Sequence, residues 1–160
     1  MRTLKESILS KKEVSIVKNI NLTRLIGFYT ELFEYMKNYD LTYYDSLDLH
    51  PNKEYIYKTK IHGEPNYTSS KVEDMCNSIN KIIKKHKFKF KKETTSSKRK
   101  LKSIGAEFYK SLDTYRFILE TTDEYKNQEI QIYVYNYNDC AEVYWHVTIP
   151  DDFKDLLKII

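Results

Sequence analysis

Apolar and polar positions alternate most regularly near the end of the chain. Two stretches, Glu129 to Tyr137 and Ala141 to Ile149, place an apolar residue at every second position, which is typical of half-buried strands. Asn138 and Asp139 between them suit a two-residue turn. We therefore predict an antiparallel hairpin whose apolar face is buried. In the register set by this turn, the buried residues are Ile132, Val134, Val143, Trp145 and Val147.

The other face of this hairpin is polar and aromatic, because the same register places Tyr133 opposite Tyr144. Its candidate functional residues are Tyr133, Tyr135, Tyr144, Glu142 and His146. Three interpretations fit this face. The tyrosines would cover an open sheet while keeping their hydroxyls in water, or they would bind a base, a sugar or a protein partner. Alternatively, Glu142 and His146, on one face of one strand, would form an acid–base pair.

A helical period replaces this alternation in two earlier stretches. Apolar residues form one stripe over residues 22–36 and predict a helix that begins near Asn21. A second helix is predicted over residues 70–85, because Ser70 and Glu73 match the two positions of a capping box.

The remaining elements are shorter. Residues 39–50 are acidic and rich in tyrosine, and we predict a solvated loop there, because the glycine and the terminal glutamate of a calcium-binding EF-hand loop are missing. Further strands are predicted over residues 13–17, 54–61 and 115–121, and further helices over 101–112 and from Pro150 onward. This order of elements indicates a single domain over residues 1–160 with an α+β fold. Its mainly antiparallel sheet would carry helices on the apolar face.

Positive charge is concentrated in one segment, Lys81 to Lys102, which has eleven lysines or arginines, one acidic residue and a net charge of +10. The rest of the chain has a net charge of −6, although the whole protein has +4. Within the segment His86, Phe88 and Phe90 alternate with lysines, which predicts a strand with its aromatic residues inward. A polar break follows at residues 94–97.

This basic segment is the candidate contact for nucleic acid. Lysine attracts phosphates without reading sequence, whereas base readout recruits arginine, and 23 of the 27 basic residues are lysine. Any nucleic-acid binding is therefore expected to be non-specific. The alternative is a solvated surface, or a contact with the acidic remainder of the chain. The candidate residues are Lys84, Lys85, Lys87, Lys89, Lys91, Lys92, Lys98, Arg99 and Lys100.

Motifs for catalysis are missing from the sequence. The four histidines are dispersed, and there is no zinc-protease motif, P-loop or glycine-rich nucleotide loop. Cys76 and Cys140 have no metal-ligand spacing and indicate a reducing compartment, with one disulfide between them as the alternative. No apolar run approaches the ~20 residues that span a membrane, and the first ten residues lack the apolar core of a signal peptide. We expect a non-enzymatic protein without metal or cofactor that is not secreted through a signal peptide.

The first nine residues, MRTLKESIL (Met1 to Leu9), form a short motif in which Thr3 and Glu6 match a capping box. The motif resembles an N-terminal tag of otherwise dissimilar, mostly uncharacterised proteins of tailed phages, including phages of gut bacteria. The resemblance implies a phage-encoded protein and makes it a candidate virion component. It implies no fold, no reaction and no catalytic residue.

Two functions are therefore expected. The first is a small structural or interaction protein that contacts a protein partner, or a second copy of itself, through the tyrosine-rich face or the apolar C-terminal residues. The second is a non-specific nucleic-acid-binding accessory protein that uses Lys81 to Lys102. Either would act in the host cytoplasm or in the virion.

Overall fold

A six-stranded sheet is the largest element of the computed structural model, which describes residues 20–97 and 111–153. The elements are α1 (Ile20–Met36), β1 (Thr42–Leu49), β2 (Asn52–His62), α2 (Pro65–Lys85), β3 (Phe90–Ser97), β4 (Ser111–Leu119), a 3-10 turn (Asp123–Tyr125), β5 (Glu129–Asn136) and β6 (Cys140–Pro150). Neighbouring strands pair antiparallel throughout, in the spatial order β1-β2-β6-β5-β4-β3. Strands β6 and β5 therefore lie at the centre of the sheet, and β1 and β3 form its edges.

The predicted hairpin is confirmed in both its register and its buried face. Ile132 lies opposite Trp145 and Val134 opposite Val143, while Tyr133 lies opposite Tyr144 on the other side. All five side chains that were predicted to be buried are at most 2% exposed. Full burial of each aliphatic side chain stabilises the fold by about 1.5–3 kcal/mol, so this hairpin anchors the core.

Both helices lie over the apolar face of the sheet, which confirms the α+β prediction. Helix α1 buries the predicted stripe, including Leu25, Tyr29 and Phe33 at 0% exposure. The Tyr29 hydroxyl lies 2.6 Å from the Thr148 carbonyl oxygen and 2.7 Å from Gln128 Oε1. Burial raises the pKa of Tyr29, so this hydroxyl stays protonated and ties α1 to the central strands.

Helix α2 begins five residues earlier than predicted. Its first residue is Pro65, which suits the first helical position because it lacks a backbone N–H and has a fixed φ. Glu64 is the N-cap in an extended conformation, without a side-chain capping hydrogen bond. Ser70 and Glu73 lie inside the helix, so the capping-box prediction is wrong.

The solvated loop predicted over residues 39–50 is wrong for most of its length. Thr42–Leu49 forms β1, an edge strand that pairs with β2 and carries a bulge between Tyr43 and Asp45. Nearly all its side chains are exposed. Its polar composition is typical of an edge strand that is held by main-chain hydrogen bonds to one neighbouring strand. The bulge and the acidic residues of β1 discourage edge-to-edge aggregation.

The strand predicted from His86 begins instead at Phe90. The backbone N–H groups of Lys87 and Phe88 donate to carbonyls at the end of α2, and Lys87 has a φ of 60°, so these residues close the helix as a turn. Phe88 is nevertheless buried, at 4% exposure. Residues 94–97, predicted as a polar break, are part of β3.

Other boundaries differ more modestly. Strand β4 begins at Ser111, so Leu112 belongs to it and not to the predicted helix over 101–112, and Pro150 ends β6 instead of starting a helix. Three predicted features lie outside the described residues: the rest of those two helices, apart from a turn at 151–153, the strand over 13–17, and the basic cluster at 98–102. Within the described residues, no helix is long and apolar enough to cross a membrane.

Candidate interaction face

Four tyrosine rings lie on the face of the sheet opposite the helices, where β1, β2, β6 and β5 run side by side. We call this surface the aromatic face, defined by Tyr44, Ile56, Tyr133, Tyr135, Tyr144 and His146, which line a groove of about 260 Å³. The strand register explains how they meet: His146 lies opposite Ile56 on one side and Gln131 on the other. The structure thus brings together the predicted Tyr133, Tyr135, Tyr144 and His146.

The rings of the aromatic face contact one another edge to face. Tyr44 and Tyr144 have centroids 5.2 Å apart at 81°, and Tyr135 and Tyr144 have centroids 5.5 Å apart at 78°. The Tyr133 ring packs against the imidazole of His146 at 4.5 Å. Such pairs contribute about 0.5–1.5 kcal/mol each beyond simple burial. The rings therefore hold one another in place as a preorganised surface.

The hydroxyls of this face act as hydrogen-bond donors. The Tyr133 hydroxyl donates to Gln131 Oε1, and the Tyr144 hydroxyl donates to Glu142 Oε2 at 3.4 Å. Burial raises the pKa of Tyr133 and of Tyr144, and the nearby carboxylates of Glu54 and Glu142 raise them further. Both phenols are therefore protonated at neutral pH.

The predicted acid–base pair between Glu142 and His146 is wrong. His146 Nδ1 lies 3.0 Å from Oε1 of Glu54 on β2, and Glu142 instead pairs with Lys58 Nζ at 2.6 Å. Partial burial raises the pKa of Glu142, but hydrogen bonds from Lys58 and Tyr137 outweigh that effect and lower it overall. The sequence contained no sign of the true partner, because Glu54 precedes His146 by 92 residues.

The sequence alone did not identify four residues that belong to the site or contact it directly: Tyr44, Glu54, Ile56 and Lys58. Glu54, Ile56 and Lys58 alternate along β2, so their shared face was visible in the sequence, but not which strand β2 pairs with. Tyr44 was missed because β1 was predicted to be a loop.

Exposed leucines extend the aromatic face along the edge strand β1. Leu47 and Leu49 are 45% and 46% exposed, and Tyr44 is 61% exposed. The register places Leu47 opposite Glu54 and Leu49 opposite Asn52, on the side of the sheet that carries His146. This side of the sheet, which faces away from the helices and which we call the open side, therefore presents aromatic and aliphatic groups next to β1, the edge strand of the sheet formed by the described residues.

The described part of the basic segment, residues 81–97, does not form one continuous surface. Lys91 and Lys92 are consecutive in β3 and point to opposite sides of the sheet: Lys91 pairs with Glu93, whereas Lys92 lies 5.8 Å from the centroid of Phe117. Lys85 at the end of α2 pairs with Glu31 at 2.7 Å.

Three of the predicted lysines remain available. Lys84, Lys87 and Lys89 are exposed at the junction of α2 and β3, and none of them forms an ion pair with another described residue. The other predicted members of this segment, Lys98, Arg99 and Lys100, lie outside the described residues.

No group of three histidine, cysteine or acidic side chains within residues 20–97 and 111–153 is arranged to hold a metal ion. Both cysteines are free and buried. Comparisons with protein-family models, with curated proteins and with solved structures found no match.

Proposed function

We propose that this protein functions by protein–protein contact through its aromatic face, as a small non-enzymatic structural or interaction protein. The observation that carries the proposal is the row of tyrosine rings on the open side of the sheet, with the exposed Leu47 and Leu49 on the same side. Tyrosine is enriched in interface cores because it buries a large area at low entropic cost and keeps a polar tip. A clustered apolar surface of this kind is typical of an interaction site.

The contact is either with a second copy of the chain or with another protein. We place it in a phage particle, or in the cytoplasm of the infected host, on the resemblance of Met1 to Leu9 to a tag of tailed-phage proteins. This setting rests on the sequence motif alone, whereas the contact face rests on the arrangement of the tyrosines.

Replacement of Tyr133, Tyr135 and Tyr144 by serine tests the proposal. These side chains face away from the helices, so the triple variant should keep a cooperative unfolding transition while its self-association or its binding to a purified partner is lost. Light scattering and sedimentation measure the association. Tyr67→Ser is the matched control, because Tyr67 is 52% exposed on α2 and lies outside the aromatic face. Unchanged association in the triple variant would refute the proposal.

A second candidate is non-specific nucleic-acid binding, favoured by the exposed Lys84, Lys87 and Lys89 at the end of α2. Binding through lysine and phosphate should weaken steeply as salt rises and should not depend on base sequence. Fluorescence anisotropy with labelled single-stranded DNA measures this dependence. Replacing the three lysines by glutamine should reduce both the affinity and the salt dependence, and an unaltered affinity would remove this candidate.

A further inference from the structure

Glu54 is a nearly buried carboxyl group beneath the aromatic face, with no permanent cation paired to it among the described residues. Its side chain is only 9% exposed, and its hydrogen-bond partner is the imidazole of His146. Glu142 and Glu129 on the same side of the sheet pair with Lys58 and Arg116, at 2.6 and 2.7 Å. Among the described residues, no lysine or arginine lies within ion-pair distance of Glu54. A carboxylate removed from water without a cation is unfavourable, and a cation brought close to it is stabilised.

His146 transmits this charge to the groove. An ionised carboxylate can only accept hydrogen bonds, so the contact with Glu54 places the ring hydrogen of a neutral imidazole on Nδ1 and leaves Nε2 with its lone pair. Within the described residues, Nε2 has no hydrogen-bond partner. The ring itself lines the groove beside Tyr133 and opposite Ile56. This tautomer therefore presents Nε2 as a hydrogen-bond acceptor at the groove, beside the tyrosine rings and with the carboxyl group of Glu54 behind the imidazole.

We infer that this groove receives the guanidinium group of an arginine from the protein partner. A guanidinium is planar and stacks on tyrosine, donates hydrogen bonds in its own plane, and carries the charge that Glu54 lacks. The inference rests on the proposed function, for which it names the partner's chemistry. The aromatic face already holds one cation of its own chain in this way, since Lys58 Nζ lies 5.5 Å from the Tyr144 centroid and bonds to Glu142.

Charge distinguishes an arginine from the other groups that stack on tyrosine. The base of a nucleotide would also stack on a tyrosine ring, but the negatively charged phosphates of the nucleotide would bring no positive charge to Glu54. A sugar would donate to Nε2 but would leave Glu54 unbalanced. A lysine ammonium carries the charge but lacks the planar group that stacks on two rings.

The inference is tested by titrating the full chain with N-acetyl-arginine methylamide while the ring signals of His146 and Tyr133 are followed by NMR. A saturable shift of both rings is expected. The citrulline analogue, which has the same shape without the charge, should bind about tenfold more weakly, as expected for the loss of a cation–π contact and its counter-charge. Saturable binding of citrulline as tight as that of arginine, tighter binding of adenosine, or no saturable shift would each overturn the inference.

Two variants locate the site. Glu54→Gln keeps the shape of the side chain and should remove the preference for arginine over citrulline, while Glu34→Gln, an exposed glutamate on α1, should leave it unchanged. If Glu54→Gln does not fold, Tyr44→Ala replaces it, because Tyr44 is 61% exposed and should weaken arginine binding several-fold without unfolding the protein. Unchanged binding in the variant that folds would contradict the assignment.

The titration also separates this inference from the proposed function. If the tyrosine variants abolish association but arginine shifts neither ring, the contact face stands and the guanidinium assignment fails. If arginine binds but the tyrosine variants associate normally, the groove is not the site of a protein contact, and both the partner and the proposed function are wrong.

Discussion

Glu54 and His146 are 92 residues apart in the sequence, yet carboxylate Oε1 and imidazole Nδ1 are 3.0 Å apart on the open side of the sheet. The pairing of β2 with β6 produces this contact, because Ile56 lies directly opposite His146 and Glu54 is the next residue on the same face. The contact links the edge half of the sheet to the central hairpin and orients the imidazole that lines the groove.

This geometry predicts the tautomer of His146. Long-range proton–nitrogen spectra recorded where the imidazole is neutral should show its ring hydrogen on Nδ1, because a carboxylate can only accept a hydrogen bond. In Glu54→Gln the tautomers should become mixed, since an amide presents either an acceptor or a donor. A neutral ring with its hydrogen on Nε2 in the parent protein would show that the contact is absent in solution.

The two faces of the β5–β6 hairpin should differ sharply in their contribution to stability. Trp145→Ala removes a side chain that is 0% exposed and should lower the free energy of unfolding by about 3–5 kcal/mol. Tyr144→Ala, on the adjacent residue and the opposite face, should cost less, about 1–3 kcal/mol, because it removes two ring pairs from a surface and leaves no cavity in the core. Urea denaturation measures both. Equal losses would mean that the tyrosines form a second core layer and not a surface.

Gly27 lies where α1 crosses the end of α2, and we expect a larger residue at this position to be unfavourable for folding. A Cβ there would lie 3.1 Å from Cε1 and Nδ1 of His86, whose Nε2 contacts Glu31 at 2.5 Å. In a His86→Ala background, Gly27→Ala should stabilise the protein by about 1 kcal/mol through helix propensity. With His86 present this gain should be lost, because the ring must move. A double-mutant cycle in urea would contradict this account if it showed no coupling.

Acid should weaken this same crossing. Partial burial raises the pKa of Glu31, but hydrogen bonds from Lys85 and His86 outweigh that effect and hold it below its ordinary value of 4.5. A carboxyl with a lowered pKa contributes stability above its unfolded pKa, and this contribution is lost as pH falls through the folded pKa. Glu31→Gln should therefore destabilise the protein at pH 7.

The destabilisation by Glu31→Gln should shrink below about pH 4.5, where the parent carboxyl also becomes neutral. Urea midpoints at several pH values measure the difference. Glu34→Gln is the control on the same helix, since its exposed pair with Lys37 contributes little. A destabilisation by Glu31→Gln that stays constant down to acid pH would contradict the assigned contacts.

The hairpin was predictable because alternation and a short turn lie within a few neighbouring residues, and one register separates Trp145 from Tyr144. Strand β1 was not predictable in this way, because its stability comes from pairing with β2 and its own side chains are polar and exposed. The start of α2 was misplaced because a capping box at Ser70 outweighed Pro65. Local pattern identified four of the six residues of the aromatic face. The pairing of β1 with β2 and of β2 with β6 was needed to add Tyr44 and Ile56 and to bring Glu54 to His146.

We propose the aromatic face as the surface that contacts a protein partner or a second copy of the chain. Photo-cross-linking tests this proposal, with p-benzoylphenylalanine in place of Tyr44 on β1 and, as a control, in place of Tyr67 on α2, which are 61% and 52% exposed. Irradiation of the assembled protein should link a partner, or a second copy of the chain, to position 44 and not to position 67. Cross-links from position 67 alone, or none from position 44 in an assembly that forms normally, would contradict the proposal.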